Sequence, residues 1–452
     1  MNNKITEEII TQERKKFIEE LIQNSIISKD KLKSSELENK LTKTFIEVEK
    51  IIKSKDNQSL SYVYDTIINN FFLKIDIIMK NTPGLTIGLK DVVSNGELYI
   101  YYGKTNSKTD ASKVDEDTRF DLASVTKLFT ATSILKKQEQ GKLDLQKSIY
   151  HYNNQFINLK NISLEDTAKF YYQINTDGRL DTVLNKEQLL SNLYNSKVVK
   201  SNTLVYSDIP YIILGEILNQ EDEFSKYFQE ELGMVKTSYD VRNKIITGGN
   251  YNDLNSIHDK KAQNMTTFGM KHPGHAGIYS TSEDLVKLGT NLLPDHNFLT
   301  RDSLKILSTP SRGEYQFQKE DKLVNKNRAM GVYIPTEKGI TESDIALQAS
   351  KNTIASSGTT GPYILIDPKN NFTFNYLCNP YSKEGGYTPI ELDGKEVRWS
   401  RVSNIIKEEL VNLVYELRFA YNISKNIALT NNNTSLYQET EAVFASKHII
   451  RK

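Results

Sequence analysis

Strand-like segments in this chain fall into two groups separated by a long helical stretch, and that arrangement decides the fold class. The first group is LTIGLKDVV and GELYIYYG, joined at Ser94-Asn-Gly96. Asn-Gly accepts the backbone of a tight turn, so strand-like runs on either side of it read as a hairpin. The second group is AMGVYIP, DIALQAS, PYILIDP and NFTFNYLCNP. Between the groups, from Leu122 to roughly residue 310, the apolar spacing is mixed and mostly helical. VSNIIKEELVNLVYELRFAYN, about residues 402–422, reads as a long closing amphipathic helix. Strand runs segregated from helix runs indicate an α+β fold: an antiparallel sheet flanked by helices, with an all-helical insertion.

Two segments lie outside this outline. In residues 1–80, apolar residues recur at helical spacing (Ile10, Phe17, Leu21 and Ile22, then Leu41, Phe45, Val48, Ile51 and Ile52). They predict two or three helices with breaks near Ser28–Lys31 and Lys55–Ser59. No catalytic signature occurs there. The block reads as an accessory segment that packs on the main domain or on a partner protein. Residues 426–452, with Asn431-Asn-Asn433, read as a poorly specified tail. The domain of interest therefore runs from about 83 to 425.

Composition excludes several classes of function. The chain has 58 Lys+Arg against 57 Asp+Glu, a formal net charge of +1. That balance argues against a dedicated nucleic-acid binder, which carries a basic face. Cys378 is the one cysteine, so neither an intramolecular disulfide nor a Cys-based zinc site can form. No run approaches the roughly 18 apolar residues of a membrane helix. The N-terminus lacks the uninterrupted apolar core of a signal peptide. The expected location is the cytoplasm. No P-loop and no dinucleotide fingerprint is present, so no cofactor is expected.

The chemistry concentrates in Asp117-Thr-Arg-Phe-Asp-Leu-Ala-Ser124-Val-Thr-Lys127-Leu-Phe-Thr-Ala-Thr. Ser124 opens a helical run, and a spacing of three puts Lys127 on the same face. A serine hydroxyl is a poor nucleophile until a base takes its proton. A lysine can be that base if burial lowers its pKa toward neutral. The helix N-terminus adds positive potential, which discourages the lysine proton and favours a nearby oxyanion. Ser-x-x-Lys alone is short and common, so its surroundings decide its meaning.

FDLASVTKLFTA resembles the nucleophile motif of the penicillin-recognising serine hydrolases: class C β-lactamases, D,D-peptidases and esterases on the same fold. Tyr206-Ser-Asp208, inside LVYSDIPYIILGEIL, resembles their second motif, Tyr-x-Asn. ELGMVKTSY (Glu231–Tyr239), IHDKKAQ (Ile257–Gln263) and GHAGIYSTSEDLVKLG (Gly274–Gly289) resemble further segments. Ser356-Ser-Gly358-Thr-Thr-Gly361, followed by PYILIDP, sits where the third motif belongs. The matches cover about residues 83–425.

The resemblance implies that Ser124 attacks a carbonyl, that Lys127 activates it, and that Tyr206 shuttles a proton. It implies an oxyanion hole from the backbone N–H groups of Ser124 and Thr359, with Gly358 letting the backbone approach the substrate. Asp208, Ser356, Gly358 and Thr359 would line the substrate. Three departures bear on specificity. Asp208 stands where many relatives carry Asn; it is acceptor-only when ionised and could receive a substrate ammonium. Ser356 replaces a Lys or His that helps hold a substrate carboxylate. LEDTAKFYYQINTDGRLD lacks a His-Thr-Ser-Gly-Leu-like loop. These departures, with the missing export signal, favour an esterase or amidase on small or D-amino-acyl substrates. The alternatives are a β-lactamase or D,D-peptidase proper, and a catalytically silent binding relative.

The remaining candidates read as structural. His272 and His275 show no acidic partners at ligand spacing, so no metal site is expected. His258-Asp259 reads as a buried hydrogen-bonded pair. Thr281-Ser-Glu-Asp284 reads as a helix start, and Cys378 as a buried apolar residue.

Overall fold

The computed structural model describes residues 3–25, 31–53, 59–106, 109–201, 206–219, 223–240, 245–246, 259–309, 315–319, 322–326, 328–336, 339–378, 380, 390–392 and 394–451. Its centre is a six-stranded sheet. The strands are β1 (Gly84–Asp91), β2 (Gly96–Gly103), β3 (Ile354–Ser357), β4 (Tyr363–Asp367), β5 (Phe372–Cys378) and β6 (Lys447–Arg451). Their spatial order is β3-β4-β5-β1-β2-β6. The expected hairpin joins β1 to β2, in register from Gly84↔Gly103 to Asp91↔Gly96, with Asn95 left-handed at φ 55°. β1 also pairs antiparallel with β5, from Leu85↔Cys378 to Asp91↔Phe372, so the two sequence groups of strands close into one sheet. The architecture is α+β, with an antiparallel-dominated sheet.

Both faces of the sheet are buried, and side-chain alternation assigns each face to a different half of the molecule. Leu85, Ile87, Leu98 and Ile100 face one core, and Tyr99, Tyr101, Ile364 and Ile366 face the other. The first core belongs to the ends of the chain. It is built by α1 (Asn3–Asn24), α2 (Lys31–Lys53), α3 (Leu60–Lys74), α4 (Asp76–Asn81) and the long closing helix, Trp399–Thr430. Phe17, Phe45 and Phe419 meet there, with centroids 5.1 Å (17–45) and 4.6 Å (45–419) apart. The apolar face of residues 1–80 is thus covered by the chain's own closing helix. The expected helix breaks fall between α1, α2 and α3; residues 26–30 and 54–58 lie outside the described residues.

The second core belongs to the insertion. It is largely helical, with a ribbon of Tyr172–Asn175 and Lys197–Ser201 and a small sheet of Arg119–Asp121, Ile245–Ile246 and Tyr279–Ser280. α5 (Thr126–Glu139) is buried on all sides over Thr126–Leu135. α6 (Ile209–Leu218), α7 (Lys260–Thr267) and α8 (Ser282–Asn291) follow. α8 lies directly on the sheet, where a Cβ at Gly289 would stand 2.1 Å from Thr373 Oγ1. Among the described residues, no helix is long and apolar enough to cross a membrane.

Two expectations need correction. AMGVYIP and DIALQAS are not strands of the sheet. Met330, Val332, Ile334, Ile345, Ala346 and Ala349 are buried, which gives a strand-like pattern, but Gly331 at φ 72° and Asp344 at φ 57° bend the backbone. Residues 426–452 are not a tail. The closing helix, α9 (Trp399–Thr430), is followed by α10 (Thr434–Val443), and β6 then pairs in parallel with β2 from Lys447↔Leu98 to Arg451↔Tyr102. The asparagine run is a junction between helices: Asn432 is left-handed, and Asn433 Oδ1 accepts from Leu436 N at 3.0 Å as an N-cap.

The clasp between α3 and α9 makes stability depend on pH. Lys74 Nζ lies 2.9 Å from Glu416 and 3.4 Å from Glu409. Burial pushes the Glu416 carboxyl up to about 7 from an ordinary 4.5; Lys74 opposes this, and Glu409 and Glu47 add to it. A raised folded value means that the proton stabilises the fold, so stability is full below pH 4.5 and is lost as pH rises through about 7. Glu416→Gln should remove most of that dependence. Denaturant unfolding at pH 5 and pH 8 should show a gap smaller than in the wild type, by about 3 kcal/mol at most.

Candidate active site

The strand Arg119–Asp121 leads into the nucleophile turn. Leu122 N donates to Ile278 O at 2.9 Å, and Ala123 N donates to Asp121 Oδ1 at 2.8 Å. Ala123 takes a left-handed φ of 44°, which an alanine adopts only when its surroundings hold it there. A short 3₁₀ turn, Ala123–Val125, then opens α5 and leaves Ser124 half-buried at the junction.

Lys127, one turn on, is 1 % exposed. Its ammonium reaches three acceptors: Ser124 Oγ at 3.0 Å, Asp208 Oδ1 at 2.9 Å and the His275 carbonyl at 3.1 Å. An ammonium has three protons, so the set is complete. Burial disfavours its charge, but Tyr206 and Asp208 outweigh that and hold the lysine above its usual range. The sequence predicts that burial lowers Lys127; here the shift runs the other way, with Tyr206 and then Asp208 favouring the charged form.

Tyr206 precedes α6 and donates to Ser124 Oγ at 2.8 Å. Its ring packs 5.1 Å from Phe170, which is itself held at φ 57°. Lys127 Nζ lies 5.0 Å and the Arg328 guanidinium 4.1 Å from the ring centre.

Asp208 has both oxygens engaged, Oδ1 by Lys127 and Oδ2 by Lys261 at 2.6 Å. Burial would raise this carboxyl, but Lys127, His275 and Lys261 outweigh it and hold it far below the usual carboxylate range. This corrects the expectation that Asp208 awaits a substrate ammonium: two lysines of the chain already balance its charge. The network continues. Lys261 lies 3.7 Å from Asp259, whose Oδ1 stands 3.0 Å from His275 Nε2. Asp259 Oδ1 also caps α7 by accepting from Ala262 N. His258, and with it the expected His258-Asp259 pair, lies outside the described residues; Asp259 pairs with His275. His272 packs at tilted angles against Phe224 and Tyr239. Asp208, Asp259 and His275 offer ligand atoms within 4.8 Å of one another, a set that wide sequence separation hides. The Lys261 ammonium stands against both of its carboxylates.

The third motif docks onto the nucleophile turn. A Cβ at Gly358 would stand 2.5 Å from the Leu122 carbonyl oxygen and 3.1 Å from Ala123 Cβ, so glycine is needed for this contact as well as for any approach of substrate. Thr360 Oγ1 donates to Asp121 O at 2.8 Å. Thr359, exposed, is thus held between two anchors on the turn that carries Ser124. Ser356 is buried on the face shared with Ile354, toward the insertion. Sequence reasoning missed Lys261 and Arg328. Their only local signals were IHDKKAQ and a basic residue ahead of AMGVY.

A serine joined to a lysine and a tyrosine, where an antiparallel sheet meets a helical lobe, is the arrangement of a serine hydrolase superfamily that includes β-lactamases and carboxypeptidases. The chain belongs to the Beta-lactamase family, whose model matches residues 78–388. A putative D-alanyl-D-alanine carboxypeptidase of Escherichia coli (strain K12) is 25% identical over 324 residues, 60% of this chain and 71% of that protein. Protein flp of Staphylococcus aureus (strain NCTC 8325 / PS 47) is 23% identical over 343 residues, 70% of this chain and 62% of that one. The chain thus spans less than two thirds of the length of the second. A solved class C β-lactamase superposes with a TM-score of 0.57 at 19% identity, covering 76% of this chain and 98% of that one. A β-lactamase/D-alanine carboxypeptidase from Pseudomonas syringae gives 0.53 at 19% identity, covering 78% and 98%. These two likenesses concern the fold.

Asp208→Ala should leave the buried Lys127 ammonium without its counter-charge and cost about 3 kcal/mol of stability, measured by denaturant unfolding. Asp208→Asn, which keeps an acceptor, should cost less. The Asp208 value is depressed, so its contribution is present above the ordinary 3.8 and lost as pH falls below it.

Proposed function

We propose that the chain is a serine hydrolase working through an acyl-enzyme on Ser124, an esterase or amidase on small or D-amino-acyl substrates. What carries this reading is one oxygen, Ser124 Oγ, between Lys127 Nζ at 3.0 Å and Tyr206 Oη at 2.8 Å. Tyr206 takes the part of general base, with the Lys127 ammonium 5.0 Å from its ring centre as the neighbouring cation. Ser124 Oγ attacks the carbonyl carbon while its proton passes to the Tyr206 oxygen. The carbonyl oxygen becomes an oxyanion between the N–H groups of Ser124 and Thr359. Tyr206 returns the proton to the leaving group as the ester or amide bond breaks. A water, deprotonated by the same oxygen, then releases the acyl group.

Ser356 brings no charge to a substrate carboxylate, which favours esters and amides without one over β-lactams and D-alanyl-D-alanine peptides alike. One similar protein is nevertheless named as a putative D-alanyl-D-alanine carboxypeptidase. Hydrolysis of D-alanyl-D-alanine peptides is the second reading to test.

The test is a panel of chromogenic esters, amides, a D-alanyl-D-alanine peptide and a cephalosporin, together with fluorophosphonate labelling. Ester or amide turnover should fall about 10⁴-fold or more in Ser124→Ala, and labelling should vanish. An unlabelled wild type, inert across the panel, would leave the chain a silent binding relative.

A further inference from the structure

Residues 328–333 fold back on themselves. Arg328 and Tyr333 form a β-bridge, and Ala329 N donates to Val332 O at 3.0 Å. Tyr333 exchanges both backbone hydrogen bonds with Ala355, at 2.7 and 3.1 Å. One isolated bridge thus ties this hairpin to β3, the strand that carries Ser356 and leads to Gly358. Its apex is wedged into the site: a Cβ at Gly331 would stand 2.5 Å from Tyr211 Oη and 3.2 Å from the Lys127 carbonyl oxygen. With φ at 72°, only glycine fits there without strain.

The hairpin delivers one charge. Arg328 is 8 % exposed, and its guanidinium carbon lies 3.7 Å from the Tyr333 ring centre and 4.1 Å from that of Tyr206. A guanidinium keeps its proton throughout the accessible pH range and stacks flat on aromatic faces. Tyr206 is the ring whose oxygen bonds the nucleophile, and negative charge on that oxygen is attracted to a cation on its face. The groups that face Tyr206 come from several elements. They are Lys127 on α5, Tyr211 on α6, Arg328 and Tyr333 on the hairpin, and Phe170, which is apolar. Asp208, two residues on, is already held between Lys127 and Lys261.

We propose that Arg328 is a positioning residue for Tyr206, packing on its ring beside Phe170 and supplying from the hairpin a positive charge to the tyrosine oxygen. This rests on the role given to Ser124 and Tyr206 above. The experiment is the pH profile of kcat/KM for a chromogenic ester turned over by the full chain, in wild type, Arg328→Met and Arg328→Lys, with thermal unfolding alongside. Arg328→Met should lose about 10²-fold in rate and move the acid limb up by about one pH unit, at a near-unchanged melting midpoint. Arg328→Lys should keep the limb near the wild-type position.

A rate loss with an unmoved limb means packing alone and overturns the proposal, as does an Arg328→Lys profile matching that of Arg328→Met. If Arg328→Met does not fold, Arg328→Gln takes its place. Identical limbs in Gln and Lys overturn the proposal, and a limb shifted only in Gln supports it. A wild type that fluorophosphonate fails to label overturns the hydrolase reading and this one with it. A labelled wild type with an unmoved limb overturns this one alone.

Discussion

The structure turns on one ammonium held away from solvent. Lys127 lies inside a helix buried on every side, and a charge there is tolerable only with full compensation. Asp208 supplies the counter-charge, and the His275 carbonyl and Ser124 Oγ take the remaining protons. Each acceptor comes from a different part of the chain: the nucleophile turn, the start of α6 and the GHAG loop. Satisfying one lysine thus fixes three segments relative to one another. The GHAG loop can reach it because Gly274 and Gly215 meet backbone to backbone, with no room for a side chain on either.

The sheet gives that cluster a rigid floor. Its insertion face carries α8 in glycine-close contact, and its other face is sealed by α9 and the N-terminal helices. β3 is an edge strand of the main sheet, yet its end reaches the nucleophile turn through Gly358 and Thr360. Strain collects where these parts meet. Ala123, Phe170 and Gly331 all have positive φ, and each touches the nucleophile turn, Tyr206 or the Lys127 backbone. For the alanine and the phenylalanine such a conformation costs about 1–3 kcal/mol each. It persists because the surrounding packing leaves no alternative.

How far the chain could be read in advance follows from the range of each interaction. Ser124 and Lys127 are three residues apart, so their shared face was legible. The β1–β2 hairpin was legible from Asn95-Gly96. The α+β layout followed from the segregation of strand and helix patterns. Pairings across long separations were not legible. Nothing local announces that Lys261 neutralises Asp208, that Asp259 meets His275, or that Arg328 lies on Tyr206. Some residues misled because their chemistry has two uses. Asn431–Asn433 suggested disorder, but asparagine is also a capping residue and serves as one here. Buried Lys127 suggested a depressed pKa, but Tyr206 and Asp208, neither of them near it in sequence, outweigh the effect of burial.

The charges at the site are distributed over separate segments of the chain. Among the described residues at the site, Lys127, Lys261 and Arg328 are cations, and Asp208 and Asp259 are anions. Asp208 lies between two of the lysines, and Asp259 is shared by Lys261 and His275. Arg328 packs on the ring of Tyr206, its guanidinium carbon 4.1 Å from the ring centre. In the role proposed for it, a cation on that ring attracts negative charge on the tyrosine oxygen. The lysine's counter-ion and the guanidinium on the tyrosine ring are thus different residues from distant parts of the chain, Asp208 and Arg328.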